Sequence, residues 1–265
     1  MIPARKRWGQ HFLVRSETAL RIVEAARIDP SDTVVEVGPG DGALTRPLAD
    51  RAGRLLAIEI DPLRAGALES SLAGVANVSI HRGDVLEKSF ADWLAEEGWP
   101  PPAVLVSNLP YNAATPILVR AIEEEGAISR AVATVQKEVA RRFAAVPGAD
   151  DYGYLSVRTA AFARARVLFD LPAGAFRPRP KVTSSVLELV PRPERIDPKV
   201  RARALGLASL AFRFRRKTVG NALSSAVDRS RVERALVALG RDTRVRAEEL
   251  SLDDYVALAE RLDAA

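Results

Sequence analysis

The sequence of 265 residues is 48% hydrophobic and carries a formal net charge of +5, which favours a polyanionic partner such as a nucleic acid. Its apolar runs are shorter than the roughly 20 residues that cross a bilayer, and its basic N-terminus lacks the features of a secretory signal. Because cysteine is absent and only two histidines occur, we expect no disulfides and no cysteine- or histidine-rich metal site. These properties predict a cytoplasmic protein that needs no metal and contacts no membrane.

In chain order, the first predicted element is a helix over residues 16–27, with Ser16 as its N-cap. Five short apolar or alternating runs follow, and each predicts a strand. They are TVVEV (33–37), RLLAIEI (54–60), NVSIHRGD (77–84), AVLVSN (103–108) and AVATVQ (131–136). Because helical or turn segments separate these runs, the pattern indicates βαβ units and a mostly parallel sheet.

Two further runs predict strands at one edge of this sheet. RARVLFDL (164–171) and SSVLELV (184–190) flank a proline-rich loop, which suits an antiparallel hairpin. PRPERIDP (191–198) has the composition of a linker, and only helical patterns follow it. We therefore predict an α/β domain with a mostly parallel seven-stranded sheet over residues 1–192, and a small all-α domain over residues 193–265.

A glycine-rich turn, GPGDG, follows the first predicted strand and begins at Gly38. Glycines there let the backbone bend sharply and let a ligand approach it closely. Glu59 and Asp84 lie at the ends of the second and third strands, where carboxylates can accept hydrogen bonds from ribose hydroxyls and an adenine amino group. Because the turn lacks Lys or Arg for a pyrophosphate, S-adenosylmethionine fits better than a dinucleotide. The alternative is a tight turn without a ligand, beside two exposed carboxylates.

The fourth predicted strand ends in SNLPYN (107–112). The side-chain oxygen of Asn108 and the carbonyl of Leu109 can accept the two N–H bonds of an exocyclic purine amine and aim its lone pair at a methyl donor. Pro110 fixes the backbone of this turn, and Tyr111 offers a face on which a flipped base can stack. Such a site would work by positioning and electrostatics, without a strong general base.

Together these segments resemble the ribosomal RNA adenine N6-dimethyltransferases, and most closely the kasugamycin-sensitivity family that acts on the small subunit. The resemblance begins at WGQHFL (8–13) and continues nearly to the C-terminus. Its other pieces are EVGPGDGALT (36–45), IEID (58–61), GDVL (83–86), NLPYNAATP (108–116), VQKEVARR (135–142), YGYLSV (152–157), FRPRPKVTSS (176–185) and AFRFRRKTVGN (211–221).

The resemblance implies a Rossmann-like class I methyltransferase fold, with S-adenosylmethionine as the methyl donor and adenine N6 as the acceptor. The implied target is a pair of adjacent adenines in a 3′-terminal hairpin loop of 16S rRNA. The implied context is a pre-30S ribosomal particle late in its assembly, with the enzyme acting as a monomer.

The resemblance also implies functions for individual residues. Those implied in cofactor binding are His11, Leu13, Gly38, Glu59, Asp84 and Asn108. Those implied in holding the target adenine are Asn108, Leu109, Pro110 and Tyr111, with Phe176 as a second stacking ring. His11 departs from the asparagine that is common at its position in the family. For Phe176, the alternative is a loop aromatic that packs into the core.

Two basic segments are candidates for RNA contact: ARKRW (4–8) and FRFRRK (212–217). In the second, Phe212 and Phe214 alternate with basic residues, which suggests that one face packs while the other meets phosphate. The helical domain is expected to orient structured RNA through its shape and backbone. The alternative is a solvated helix face and a tail without a partner.

Three other functions remain open. The nearest is the large-subunit rRNA adenine methyltransferase of macrolide resistance, against which the segments YGYLSV and AFRFRRKTVGN favour the small-subunit type. A DNA adenine methyltransferase carries a related D/N-P-P-Y segment, but Leu109 argues against that substrate. A non-enzymatic assembly factor could retain the same fold, but the intact cofactor and NLPY residues argue for activity.

Overall fold

The computed structural model of the protein describes residues 9–192 and 196–263. The basic segment at residues 4–8 and the middle of the predicted linker lie outside the described residues. None of the helices in the described ranges is long and apolar enough to cross a membrane.

Each strand of the predicted sheet begins and ends within three residues of its predicted position. The described strands are β1 (Phe12–Leu13), β2 (Thr33–Val37), β3 (Arg54–Glu59), β4 (Val78–Arg82), β5 (Ala103–Asn108), β6 (Ile128–Gln136), β7 (Ala163–Leu171), β8 (Phe176–Arg177) and β9 (Ser184–Pro191). Seven of them form one sheet in the order β4-β3-β2-β5-β6-β9-β7, while β1 and β8 form a separate two-stranded sheet.

The strand directions match the predicted topology. Strands β2 to β6 pair in parallel, and β9 pairs antiparallel with β6, with Ala133 opposite Leu187. The two strands that flank the proline-rich loop are therefore neighbours at one end of the sheet, with β7 at the edge. All five residues of β2 are buried, as expected for a parallel strand that is covered on both faces.

Helices alternate with these strands and then continue alone towards the C-terminus. They are α1 (Ser16–Ala26), α2 (Thr45–Ala49), α3 (Pro62–Ser71), α4 (Phe90–Glu96), α5 (Ala114–Glu123), α6 (Lys137–Ala144), α7 (Tyr154–Phe162), α8 (Pro198–Arg213), α9 (Val219–Leu223), α10 (Arg229–Ala238) and α11 (Leu252–Asp263). The predicted N-cap Ser16 is instead the first helical residue of α1, because the extended Arg15 precedes it without a side-chain cap bond.

The chain divides into two compact units, and their boundary differs from the predicted one. The first unit ends at Ala140 and resumes over Ala165–Pro191, whereas the second comprises Arg141–Arg164 and the chain from Arg192 onwards. Residues 141–164, which the sequence analysis assigned to the α/β domain, thus belong with the C-terminal helices.

Packing explains why residues 141–164 join the helical unit. Val157 of α7 is fully buried in the same hydrophobic cluster as Leu207 of α8, Leu236 of α10 and Tyr255 of α11. The order of motifs along the sequence does not reveal this packing. In the chain, α7 lies between two strands of the sheet, so it looks like part of the α/β domain.

Tyr152 offers a test of this packing. Its hydroxyl donates to the carbonyl oxygen of Leu250 at 2.8 Å, and burial raises the pKa of Tyr152 to about 12. Tyr152→Phe leaves this buried carbonyl without its donor, so we expect the free energy of unfolding in urea to fall by about 1–3 kcal/mol. Tyr154→Phe, at a ring that is only partly buried, serves as the control and should lower the free energy of unfolding by less. Unchanged stability of Tyr152→Phe would contradict the assignment.

Candidate active site

Four of the predicted site residues lie where neighbouring parallel strands end. Gly38 follows β2, Glu59 ends β3, Asp84 follows β4 and Asn108 ends β5. The carboxyl ends of parallel strands meet at one edge of a sheet, where the crevice between them is the usual ligand site. The sheet therefore brings these four residues to one edge, as the sequence predicted.

The glycine turn after β2 has a backbone that other residues rarely adopt. Its φ angles are +68° at Gly38 and +58° at Gly40. A Cβ at Gly40 would lie 2.6 Å from the ring of Phe12, so only glycine lets this ring pack directly on the turn. Phe12 is a wall of the site that the sequence analysis missed.

Glu59 is 2% exposed and fixes the glycine turn through its carboxylate. Oε2 accepts from the amide of Gly40, and Oε1 from the amide of Asp61, both at 2.9 Å. Burial raises the pKa of Glu59, and the two backbone bonds oppose this rise. Because each carboxylate oxygen has a second lone pair, Glu59 can still accept hydrogen bonds from ribose hydroxyls.

Asp84 borders a cavity of about 130 Å³ at the edge of the sheet. Its Oδ1 accepts from the amide of Leu86 at 2.9 Å, and this bond begins a short helical turn over Val85–Glu87. The walls of the cavity are largely apolar and include Ile58 and Pro110. Apolar walls with one carboxylate suit a purine ring that bears an amino group.

A second cavity, of about 50 Å³, adjoins the first. His11, Glu59 and Asn108 line it, and Gly38 and Pro110 border both cavities. The two cavities are therefore neighbouring compartments along the carboxyl edge of the sheet.

Asn108 presents a buried acceptor to the second compartment. Its Nδ2 donates to the carbonyl oxygen of His11 at 2.8 Å, whereas its Oδ1 is buried with no hydrogen-bond partner among the described residues. An unsatisfied buried acceptor is costly, so this atom indicates a donor that a ligand supplies. The hydroxyl of Ser107 donates to the carbonyl oxygen of Val37 at 2.5 Å, which ties the end of β5 to that of β2.

The backbone after Asn108 is held at both ends. The amide of Leu109 donates to the carbonyl oxygen of Thr134 in β6 at 3.2 Å, and the side chain of Leu109 is buried. The carbonyl oxygen of Pro110 accepts from the amide of Ala113 at 3.0 Å. Two backbone hydrogen bonds and a buried side chain therefore hold this turn in place.

Tyr111 has a ring whose orientation is fixed by two contacts. Its hydroxyl shares a 2.5 Å hydrogen bond with Ser184, and burial raises the pKa of Tyr111. The ring of His11 lies 4.9 Å away at an angle of 30°. The Nδ1 of His11 is 2.7 Å from the carbonyl oxygen of Pro178, so this histidine contacts both the turn that contains Tyr111 and the proline-rich loop.

Phe176 and Leu13 lie in the core and not in either cavity. They are 4% and 7% exposed, belong to one hydrophobic cluster and face each other in the register of β1 and β8. The ring of Phe176 is thus buried, which favours the alternative interpretation, and its stacking function stays a prediction. The side chain of Leu13 is likewise occupied by packing.

The polar groups of the two compartments fit S-adenosylmethionine. Acceptors dominate, namely the carboxylates of Glu59 and Asp84 and Oδ1 of Asn108, and no Lys or Arg of the described residues lines either cavity. A nucleoside with a cationic sulfonium supplies donors and positive charge to such a set, whereas a pyrophosphate does not. Within the described ranges, no cluster of three His, Asp or Glu residues is arranged to hold a metal.

Glu36 is a buried carboxyl beneath the glycine turn to which the sequence analysis gave no function. It is 1% exposed within β2, and burial raises its pKa to about 8, with a smaller rise from the charge of Glu59. Its Oε2 is buried without a hydrogen-bond partner among the described residues. The signal in the sequence was a single acid within an otherwise apolar strand, TVVEV.

The fold and the site define the class of this protein: it is a Rossmann-like methyltransferase with an appended helical unit. A solved structure described as the 23S rRNA methyltransferase ErmE is 30% identical, with a TM-score of 0.74 over 95% of this chain and 99% of the other. A dimethyladenosine transferase from Plasmodium falciparum shares the fold, with 22% identity and a TM-score of 0.77 over 94% of this chain and 96% of the other.

The family model for ribosomal RNA adenine dimethylases matches residues 1–264, and this chain belongs to that family. It is 41% identical over 262 residues to "Ribosomal RNA small subunit methyltransferase A" of Aromatoleum aromaticum, which covers 98% of this chain and 95% of the relative. The protein of the same name from Rubrobacter xylanophilus is 42% identical over 258 residues, or 97% and 95% of the two chains. The protein is thus an rRNA adenine dimethyltransferase, and S-adenosylmethionine is the methyl donor of this class of enzyme.

The raised pKa of Glu36 predicts how stability depends on pH. Between the ordinary value of 4.5 and about 8, the native state holds a proton that the unfolded state releases, so this carboxyl increasingly destabilises the fold as pH rises. Glu36→Gln stays neutral, so its free energy of unfolding relative to wild type should increase from about pH 5 to about pH 8. Urea unfolding at both pH values measures this difference, and an unchanged difference would show that Glu36 is ionised in the fold.

Proposed function

We propose that this protein transfers methyl groups from S-adenosylmethionine to N6 of two adjacent adenines in a 3′-terminal hairpin loop of 16S rRNA, giving N6,N6-dimethyladenosines. It works in the cytoplasm, as a monomer, on pre-30S particles late in assembly. The observation that carries the proposal is the buried Oδ1 of Asn108, which has no hydrogen-bond partner in the described part of the chain and lies in a residue that lines the smaller compartment. The names of relatives at 41–42% identity support the small subunit as the target.

We assign the two compartments to the two parts of the cofactor. Asp84 accepts from the adenine amino group within the larger, mostly apolar compartment, and Glu59 accepts from the ribose hydroxyls. Gly38, which borders both compartments, allows the cofactor to lie close against the backbone. His11 contributes to the smaller compartment through its ring and its backbone carbonyl.

The reaction requires a better nucleophile than a free adenine amine, whose lone pair is delocalised into the purine ring. Oδ1 of Asn108 and the carbonyl of Leu109 accept its two N–H bonds, which makes the nitrogen pyramidal and directs its lone pair outwards. Bound S-adenosylmethionine supplies an electrophilic methyl group on a cationic sulfur. As the N–C bond forms, the S–C bond of the sulfonium breaks and S-adenosylhomocysteine is the leaving group. The two acceptors stabilise the positive charge that develops on nitrogen, and the proton then passes to water.

Tyr111 supplies the surface on which the extruded adenine stacks. Its hydroxyl bond to Ser184 keeps the ring in one orientation. Because Phe176 is buried, we assign the neighbouring aromatic contact to His11, whose ring lies against Tyr111. The same pocket accommodates monomethyladenine, since its nitrogen retains one proton and a lone pair for the second transfer.

The proposal is tested with 30S particles that lack the modification. After incubation with labelled S-adenosylmethionine, nucleoside analysis should find N6,N6-dimethyladenosine in the 3′ region of 16S rRNA. A parallel incubation with 50S particles tests the large-subunit alternative, which the similarity to the 23S enzyme supports. Labelling of 50S but not 30S particles, or a product limited to monomethyladenosine after exhaustive reaction, would contradict the proposal.

Asn108 provides the sharpest mutational test of the acceptor function. Asn108→Ala should lower the single-turnover rate by roughly 10²–10³-fold, the range for losing one transition-state hydrogen bond of this kind. Asn108→Asp retains an acceptor but loses the Nδ2 hydrogen bond to the carbonyl oxygen of His11, so it should be slower than wild type but faster than the alanine variant. Cofactor affinity, measured by calorimetry, checks that both variants still bind the methyl donor. If Asp and Ala are equally inactive at saturating cofactor, acceptor geometry is not the function of this residue.

We assign RNA contact to the basic segment at the end of α8. Phe212 packs against the cluster of the helical unit, with its ring 6.0 Å from that of Tyr152. Phe214 is 43% exposed, and the ammonium of Lys217 lies 4.6 Å from its ring. Only one of the two phenylalanines is therefore directed inwards, and the exposed cations beside the other are available to phosphate.

Replacing Arg215, Arg216 and Lys217 together by Gln should weaken binding to 16S rRNA and flatten its salt dependence, because fewer counterions are released. Filter binding at several salt concentrations measures both quantities. The matched control replaces three exposed arginines elsewhere in the helical unit by Gln: Arg229, Arg234 and Arg261. If both triple variants lose the same affinity for 16S rRNA, the effect is due to net charge and the segment is not part of the proposed interface.

A further inference from the structure

Arg64 in α3 is a buried cation that the proposed chemistry does not use. Its side chain is 0% exposed, although arginine is almost never fully buried unless it is paired. Arg64 is not among the residues that line either compartment, so direct contact with the cofactor does not explain its burial. The explanation lies in the groups that surround it.

Three groups from separate segments meet the Arg64 guanidinium. Nη1 donates to Oδ1 of Asp41, within the glycine turn after β2. Nε lies 3.9 Å from Oδ2 of Asp61, directly after β3. The guanidinium carbon lies 4.0 Å from the centre of the Phe12 ring in β1, a distance at which a cation is attracted to an aromatic face.

These contacts join three walls of the smaller compartment. Phe12 lines it and packs on Gly40, where a Cβ would come within 2.6 Å of the ring. The amide of Gly40 donates to the carboxylate of Glu59, and Asp41 is the next residue of the same turn. One guanidinium therefore holds the glycine turn, the segment around β1 and the end of β3 in a single arrangement.

We propose that Arg64 is a positioning residue for cofactor binding, which fixes Phe12 and the glycine turn against the end of β3. The proposal rests on the assignment of these compartments to S-adenosylmethionine. Without the guanidinium, Phe12 loses its cationic contact and Asp41 loses its partner, so the turn and Glu59 no longer share one geometry.

The test replaces Arg64 by Met, which keeps much of the apolar volume and removes the charge and the hydrogen bonds. Calorimetry with S-adenosylhomocysteine should show a Kd that is about tenfold higher or more, and KM for S-adenosylmethionine should rise similarly. The kcat at saturating cofactor and the KM for 30S particles should stay close to wild type. This split distinguishes positioning from a general loss of folded enzyme, which would lower kcat.

Two further variants make the test independent of the stability of Arg64→Met. Asp41→Asn changes a side chain that is 51% exposed and should also raise the Kd. Phe12→Leu removes the aromatic face. In this background Arg64→Met should raise the Kd by a smaller factor than it does in wild type, because both changes break the same contact. Additive effects of the two changes, or a wild-type Kd in Asp41→Asn and Phe12→Leu, would overturn the proposal.

Arg21 gives the matched control. Its guanidinium carbon lies 3.8 Å from the centre of the Phe169 ring, but neither residue lines a cofactor compartment. Arg21→Met should lower the melting temperature without changing the Kd. If Arg64→Met behaves in the same way, Arg64 is only structural; if folded Glu59→Ala also binds cofactor normally, the assignment of the compartments itself is wrong.

Discussion

The arrangement of acceptors in the candidate site depends on one hydrogen bond, from Nδ2 of Asn108 to the backbone carbonyl oxygen of His11. A side-chain amide carries both a donor, the NH2 group, and an acceptor, the oxygen. In this bond the NH2 group donates to the protein backbone. Among the described residues, Oδ1 is then left as a buried acceptor without a partner, which is costly unless a ligand provides a donor. The backbone of the segment before β1 therefore orients the residue to which we assign contact with the substrate.

The carboxylates at two other strand ends combine two functions in the same way. Glu59 and Asp84 accept backbone hydrogen bonds that hold the adjacent turns, and we assign their remaining lone pairs to the cofactor. Beneath them, burial raises the pKa of Glu36 to about 8, which favours the neutral carboxyl at pH 7. A neutral Glu36 does not repel Glu59, so negative charge is concentrated at the edge of the sheet, where we propose that the cationic cofactor binds.

The sequence predicts the sheet and its carboxyl edge well, because strand patterns and the glycine turn are local signals. It does not predict the burial of Phe176, since an aromatic in a proline-rich loop has the same local pattern whether it stacks on a base or packs against Leu13. Nor does it reveal that residues 141–164 pack with the helical unit, or that Arg64 is enclosed. Both depend on contacts between segments distant in sequence, and a charged helical residue is expected to be exposed.

The central claim is that acceptor geometry, and not a titrating base, activates the adenine amine. The most direct test is the single-turnover rate of methyl transfer to unmodified 30S particles at saturating cofactor, measured from about pH 6 to about pH 9. The account predicts that the rate changes by less than about twofold, because no side chain must lose a proton for transfer to occur. A rate that rises by about tenfold per pH unit towards a plateau would reveal a general base and contradict the account.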